Sequence, residues 1–132
     1  MKTKNIRQSI TIKASPKDVY EAFMDSKEHS MITRARAKIS KHIGGHFSAF
    51  EGWAQGEIID LIPDKRIVLT WHADDDGWPK DHYSKITITL HKIKEGTRLT
   101  FFQSKIPMTD YKDIKEGWHE HYWNPMKAIL EV

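Results

Sequence analysis

The sequence contains no cysteine among its 132 residues. This absence excludes a disulfide scaffold, a thiol nucleophile and a thiolate metal site, and it is compatible with a reducing compartment. No apolar run approaches the roughly 20 residues that a membrane span requires. The amino terminus also lacks the apolar stretch of a secretory signal. We therefore expect a cytoplasmic protein with no membrane span.

An excess of one charge sign is also missing, because 21 basic residues accompany 18 acidic ones and the formal net charge is +3. Such a balance does not predict nucleic-acid binding. The densest basic segment holds Arg34, Arg36, Lys38 and Lys41, which largely alternate with apolar residues. We interpret this segment as an exposed strand face in contact with solvent. A partner-binding surface is the alternative.

Motifs for catalysis and metal binding are missing as well. No serine lies in a G-x-S-x-G motif, and the glycine pairs lack the spacing of a phosphate-binding loop. His119 and His121 are two residues apart on a predicted helix, so they point about 200° away from each other and cannot share a metal. The three acids at 74–76 precede Gly77 and indicate a solvated hairpin tip. We expect no metal, no cofactor and no assignable catalytic residue.

The length and the composition, with 39% hydrophobic and 30% charged residues, are typical of one folded domain, here residues 1–132. Isoleucines alternate with polar residues over 6–12, which predicts a half-buried strand. Ser15 and Pro16 then mark the start of a short helix that runs to about residue 25. Residues 26–32 favour one more helical turn with Ser26 as its cap.

Between residues 37 and 106 the chain is divided by turn residues into segments of strand length. These segments predict six antiparallel strands joined by hairpins. Ser84 and His82 share a strand face with isoleucines, and Gln103 shares the next strand's apolar face with Phe101. An unpaired polar group on such a face is costly. Either these groups orient a ligand, or they lie near strand ends where water satisfies them.

The last element is an amphipathic helix over residues 115–131. Its large apolar residues recur at steps of three or four: Ile114, Trp118, Tyr122, Met126 and Ile129 or Leu130. Pro125 removes a backbone donor from the helix interior and predicts a bend near His121. We therefore expect an α+β fold in which a curved antiparallel sheet of about seven strands wraps around this helix, with two short helices after the first strand.

Five ordered segments resemble a known family. They are GGHFSAFEG at 44–52, GEIIDLIPDKRIVLTW at 56–71, WPKDHYSKITITL at 78–90, GTRLTF at 96–101 and GWHEHYWNPM at 117–126. The chain is similar to homologues of the activator of heat-shock-protein-90 ATPase, of the type that forms the co-chaperone's carboxy-terminal domain. The resemblance covers essentially the whole chain. It implies the helix-grip fold of the SRPBCC or START-like superfamily, which is the fold of the birch-pollen allergen, with an internal cavity.

The first functional hypothesis is a non-catalytic binding module that holds a small hydrophobic or aromatic ligand in an enclosed pocket between sheet and helix. The predicted lining consists of Phe23, Trp71, His82, Ser84, Ile86, Ile88, Phe101, Gln103, Trp118 and Tyr122. His82, Ser84 and Gln103 would orient the ligand. The alternative for the same rings is plain core packing.

The resemblance implies two further alternatives. One is a protein-interaction module that stimulates a chaperone ATPase, with Trp53, Trp78 and Trp123 as candidate contact residues. The other is a cyclase- or hydrolase-like enzyme in the same cavity, for which the groups to test are His82, Ser84, Gln103 and Tyr122. A monomer and a homodimer are both compatible with the sequence.

Overall fold

The computed structural model describes all 132 residues and contains seven strands and four helices. The first half of the chain forms β1 (Thr3–Ile12), α1 (Pro16–Met24), α2 (Ser26–Thr33), β2 (Lys38–Ile39), β3 (His46–Ala49), a 3-10 turn (Phe50–Gly52) and β4 (Ala54–Ile62). The second half forms β5 (Arg66–Ala73), β6 (Ser84–Ile93), β7 (Gly96–Pro107), α3 (Tyr111–Trp118), a π turn (His119–Trp123) and α4 (Asn124–Leu130). The predicted α+β helix-grip architecture is confirmed.

All strands belong to one antiparallel sheet in the order β1-β7-β6-β5-β4-β3-β2. Register shifts interrupt β1 between Lys4 and Ile6 and β4 between Ile58 and Asp60. Such bulges bend a strand and increase its twist, which helps the sheet to curve around the carboxy-terminal helices. Gly56 permits a close approach of β4 and β5, since a Cβ atom there would lie 1.7 Å from the Thr70 carbonyl oxygen.

The two amino-terminal helices follow the predicted cap signals with one change. The Ser15 hydroxyl oxygen accepts a hydrogen bond from the Asp18 backbone N–H at 3.1 Å, as expected for the first helix. The cap of α2 is Asp25, whose carboxylate accepts from the Glu28 N–H at 3.0 Å, so the prediction of Ser26 as cap is wrong. The Ser26 hydroxyl instead accepts from the Ile39 N–H of β2. It therefore ties α2 to the edge of the sheet.

At His121, where Pro125 predicted a bend, the structure has a π turn. Pro125 lacks the N–H that an α-helix would direct to the carbonyl of His121. The Asn124 N–H donates to the carbonyl of His119, five residues earlier, which widens the helix by one residue. The wider turn buries both Tyr122 and Trp123, the latter with 1% of its surface exposed.

The core lies between the concave face of the sheet and the carboxy-terminal helices. Trp78 and Trp123 are both buried in it, so the interpretation of these two residues as exposed contacts is wrong. Their indole N–H groups donate to the His82 carbonyl and to the Gln8 side chain respectively, at 2.7 Å in both cases. Trp53 is half-buried. No helix of the structure combines the length and the apolar character needed to cross a membrane.

The basic segment has the predicted exposure. Arg34, Arg36, Lys38 and Lys41 are all exposed, while Ala37 beside them is buried. Their exposure to solvent is confirmed, but only Lys38 lies in a strand, so the interpretation as a strand face is wrong for Arg34, Arg36 and Lys41. The exposed residues remain accessible to a partner.

Candidate functional site

A cleft of about 310 Å³ lies at one end of the interface between sheet and helix. It is bordered by the 3-10 turn, β5, the connection between β5 and β6, α3 and the π turn. Its aromatic walls are Phe50, Trp53, Trp71, Trp118 and Tyr122. The remaining lining residues are Asp75, Asp113, Ile114, Gly117 and His121. The cleft is open to solvent at the mouth, where Asp75, Asp113 and His121 are exposed, whereas the sequence predicted an enclosed pocket.

The five aromatic walls form a closed circuit of ring contacts. The centroid of Trp71 lies 5.7 Å from Trp53 and 6.1 Å from Trp118, and Trp118 lies 4.5 Å from Tyr122. Phe50 completes the circuit at 5.8 Å from Tyr122 and 6.0 Å from Trp53. These separations are those of favourable aromatic pairs, so the walls support one another around the open space.

A buried chain of hydrogen bonds holds two of these walls. The Trp118 indole N–H donates to Gln103 Oε1 at 2.8 Å, and Gln103 Nε2 donates to Ser84 Oγ at 2.9 Å. The Ser84 hydroxyl donates in turn to the Trp71 carbonyl at 3.2 Å. Ser84 and Gln103 are therefore paired with each other, and Gln103 is paired with Trp118. Both are buried, so the expectation that water satisfies them is wrong for these two residues.

A second buried pair lies on the other side of Tyr122. Its hydroxyl donates to His29 Nε2 at 2.8 Å, and His29 Nδ1 donates to the Phe23 carbonyl at 2.7 Å. The carbonyl is an acceptor only, so the imidazole carries its proton on Nδ1. Burial lowers the pKa of His29 from 6.5 to about 4 and raises the pKa of Tyr122. Both groups are therefore neutral at physiological pH.

The acidic side of the mouth contains a third carboxyl group. Asp110 precedes α3 and is buried, and its Oδ1 accepts from the Thr109 hydroxyl at 3.2 Å. Its Oδ2 is buried without a partner. Burial raises the pKa of Asp110, and the neighbouring Asp75 carboxyl raises it further. The acids 74–76 are exposed as predicted, but the Asp75 carboxyl also interacts with the Asp110 carboxyl from another loop.

The structure brings three of the ten predicted lining residues to the cleft: Trp71, Trp118 and Tyr122. Four others lie in the apolar core, namely Phe23, Ile86, Ile88 and Phe101. Ser84 and Gln103 lie behind the wall. His82 precedes β6, is half-buried, and its ring contacts the Lys105 carbonyl. Ligand contact by any of the ten stays a prediction.

The other lining residues of the cleft are absent from the predicted set. Asp113, Gly117 and His121 share the spacing of Ile114 and Trp118 on one helical face, and this signal was available in the sequence. Phe50 and Trp53 reach the cleft through the 3-10 turn, in which Phe50 and Glu51 have positive φ angles of 52° and 58°. No periodic pattern indicates such a turn.

One acidic group on the surface has the spacing of a metal site. Oxygen atoms of Glu21, Asp25 and Glu28 lie within 4.8 Å of one another. Lys41 Nζ lies 2.9 Å from the Glu21 carboxylate and 3.5 Å from that of Asp25. The lysine thus occupies the position of a cation in this group.

The curved sheet, the gripped helix and the cleft together define a helix-grip domain. The chain belongs to the family described as Activator of Hsp90 ATPase homolog 1-like protein, which matches residues 13–131. The human Activator of 90 kDa heat shock protein ATPase homolog 1 is 30% identical over 91% of this chain, and the match covers 35% of the human protein. An uncharacterised Schizosaccharomyces pombe protein is 27% identical over 97% of this chain and 38% of its own length. The chain thus spans about a third of the length of these relatives.

Solved structures share the fold over almost the whole chain. An HSP90 activator from Plasmodium falciparum superposes with a TM-score of 0.89 at 24% identity and covers 96% of both chains. A Chromobacterium violaceum protein gives a TM-score of 0.82 at 26% identity and covers 97% of both. The Aha1 dimer from Colwellia psychrerythraea gives 0.81 at 22% identity and covers 98% of this chain and 97% of that one. These likenesses agree with the helix-grip architecture.

Proposed function

We propose that this chain is a non-catalytic binding module that holds a small hydrophobic or aromatic ligand in the cleft. The observation that carries the proposal is the closed circuit of five aromatic rings around about 310 Å³ of open space. Protein interiors are packed to crystal-like density, so five large rings in a plain core would fill such a space themselves. The volume is at the lower end of the range for small-molecule sites.

The distribution of unpaired polar atoms supports the same proposal. Two buried side-chain polar atoms have no hydrogen-bond partner in the structure, Trp71 Nε1 and Asp110 Oδ2. Trp71 is a wall of the cleft, and Asp110 lies beside Asp75 at its mouth. A buried unpaired donor or acceptor costs about 1 to 3 kcal/mol. Uncompensated polar atoms of this kind are rare in native structures, so a ligand that pairs with them would account for their retention.

The test is to titrate the purified protein with a panel of apolar and aromatic molecules, following tryptophan fluorescence and the thermal midpoint. A ligand at 100 times its dissociation constant should stabilise the protein by about 2.7 kcal/mol. Phe50→Ala, which removes one half-buried wall, should abolish saturable binding. The matched control is Phe102→Ala, since Phe102 is also half-buried but stacks under Arg7 away from the cleft. A panel without any saturable response would overturn the proposal.

A second candidate function is stimulation of a chaperone ATPase of the Hsp90 type. The observation that favours it is the family match, together with the human relative that is named for this activity. We propose the exposed basic residues Arg34, Arg36 and Lys38 as the contact surface. The double variant Arg36→Glu/Lys38→Glu should lose stimulation, whereas Lys92→Glu, an exposed control on β6, should retain it. An ATPase rate that saturating wild-type protein leaves unchanged would overturn this candidate.

A further inference from the structure

The mouth of the cleft is negatively charged although the whole chain is not. Asp75 from the β5–β6 connection and Asp113 from the first turn of α3 both line it and are both exposed. No lysine or arginine belongs to the lining, while the formal net charge of the chain is +3. The excess of acid at this position is therefore a local feature, produced by two separate elements that meet at the cleft.

The walls behind this mouth suit a positive charge as well. The faces of aromatic rings carry negative electrostatic potential, and tryptophan provides the strongest cation–π attraction. Three of the five walls are tryptophans: Trp53, Trp71 and Trp118. Recognition of quaternary ammonium groups commonly uses several aromatic faces around one cavity. The five aromatic rings border the space in which a ligand would lie, so they are positioned for such contacts.

The unpaired acceptor near the mouth is a third and independent observation. Asp110 Oδ2 is buried without a donor, directly beside the Asp75 carboxyl. An anionic ligand would be repelled by the carboxylates of Asp75 and Asp113, and a neutral ligand without a donor group would gain nothing from them. A cation at the mouth would be attracted by both of these carboxylates, because each charge acts over several ångströms in a partly dehydrated site.

We propose that the cleft binds a free organic ammonium cation, either a quaternary ammonium or a protonated amine with apolar substituents. The apolar groups contact the aromatic walls, and the charge lies between the rings and the carboxylates of Asp75 and Asp113. This inference rests on the proposed ligand-binding function and specifies the chemical class of that ligand.

Two probes of the same shape test the inference. Phenyltrimethylammonium and its neutral carbon isostere tert-butylbenzene differ only in the charged central atom. Titrated at low ionic strength with tryptophan fluorescence as readout, the cation should bind about tenfold more tightly than the isostere. Equal affinities would overturn the cation assignment and leave the apolar binding function standing. Absence of binding by both probes would overturn both proposals.

Matched charge variants locate the effect. Asp113→Asn should weaken binding of the cation roughly three- to tenfold and leave the isostere unchanged. The control Asp64→Asn makes the same change of net charge in the turn between β4 and β5, away from the cleft, and Asp64 has a φ of 64° that asparagine tolerates well. Equal losses in the two variants would show a net-charge effect and overturn the local site.

The same group also occurs on trimethylated lysine, so a third arm distinguishes a free ligand from a modified peptide. A short peptide carrying trimethyllysine should bind no more tightly than the free tetraalkylammonium ion. If the trimethyllysine peptide bound more tightly than the free ion and the unmethylated peptide did not bind, the assignment to a free small molecule would be overturned.

Discussion

Tyr122 separates two regions of the same interface that differ in how they are filled. On one side lie Phe23, His29 and Phe47, whose rings contact one another or Tyr122 at centroid distances between 4.9 and 5.8 Å. We call this the filled side. On the other side the rings of the cleft contact one another only around its rim and leave about 310 Å³ open.

The two regions also differ in their polar atoms. On the filled side, both nitrogens of His29 and the hydroxyl of Tyr122 are hydrogen-bonded. On the cleft side, Trp71 Nε1 and Asp110 Oδ2 have no partner. The open space and the unpaired polar atoms therefore occur together on one side of the interface and are a local feature of this fold. Imperfect packing in general would have affected both sides.

The largest expected effect concerns His29 on the filled side. Its pKa falls from 6.5 to about 4 in the folded state, so the unfolded chain binds a proton more readily. Stability due to the neutral imidazole is complete above pH 6.5 and is lost as the pH falls from 6.5 to about 4. The loss should reach roughly 3 kcal/mol. Urea denaturation at a series of pH values measures it.

Carboxylates also titrate in part of this pH range, so a variant without the imidazole is needed to isolate the contribution of His29. His29→Gln should be less stable than the wild type at neutral pH but should lack this component of the slope. The difference between the two curves then isolates the imidazole. His42→Gln serves as the exposed control. Parallel curves for wild type and His29→Gln would show that burial of this imidazole has no such consequence.

A smaller effect is expected from breaking the support of the cleft wall. Gln103→Leu keeps a similar volume but leaves the Trp118 indole N–H without an acceptor in a buried site. We expect a loss of about 2 kcal/mol in the free energy of unfolding, measured by urea denaturation. Ligand affinity should fall too, because Trp118 would lose its fixed orientation.

The control for this variant is Gln55→Leu on β4. Gln55 is exposed and donates only to the nearby Gly52 carbonyl, so its replacement should change stability by no more than about 0.5 kcal/mol. If Gln103→Leu were as stable as this control, the hydrogen-bond chain would not be what holds the wall.

The sequence predicts the strands and the helix of this interface better than it predicts the contacts between distant loops. The strands follow from simple alternation, as in Ile86 and Ile88, because one face of the sheet is buried. Trp118 and Tyr122 could be predicted to face the sheet from helical spacing alone. The missing Pro125 donor predicted a bend near His121, whereas the structure accommodates it with a π turn over His119–Trp123, which a missing N–H permits equally well.

Some residues of the cleft lie in irregular turns and loops, whose positions cannot be predicted from helical or strand periodicity. Phe50 arrives through a turn with positive φ angles, and Asp75 through a loop whose tip contacts the residue before α3. Gly77 lies so close to Asp110 that a Cβ atom would be 2.4 Å from its Oδ1. Contacts of this kind between distant loops depend on the assembled tertiary structure, so local sequence patterns cannot predict them. The pairing of His29 with Tyr122 is hidden in the sequence for the same reason.

The smallest expected effect is a gain in stability at the mouth of the cleft. Asp110→Asn keeps the shape of the side chain and supplies an N–H₂ group beside the Asp75 carboxylate. The folded state raises the pKa of Asp110 above 3.8, so ionisation of this carboxyl opposes folding as the pH rises above that value. The variant should therefore be more stable than the wild type by about 1 kcal/mol at neutral pH. The gain should disappear as the pH falls toward 3.8.

Urea denaturation at neutral and acidic pH measures this gain, with the exposed Asp76→Asn on the same loop as control. A variant less stable than the wild type at neutral pH would show that the buried carboxylate is compensated in the free protein. The more informative outcome combines stability with binding, because the same substitution removes the carboxyl group beside Asp75. A protein that becomes more stable while it binds the ammonium probe more weakly would identify Asp110 as a group whose unfavourable burial is retained for the ligand.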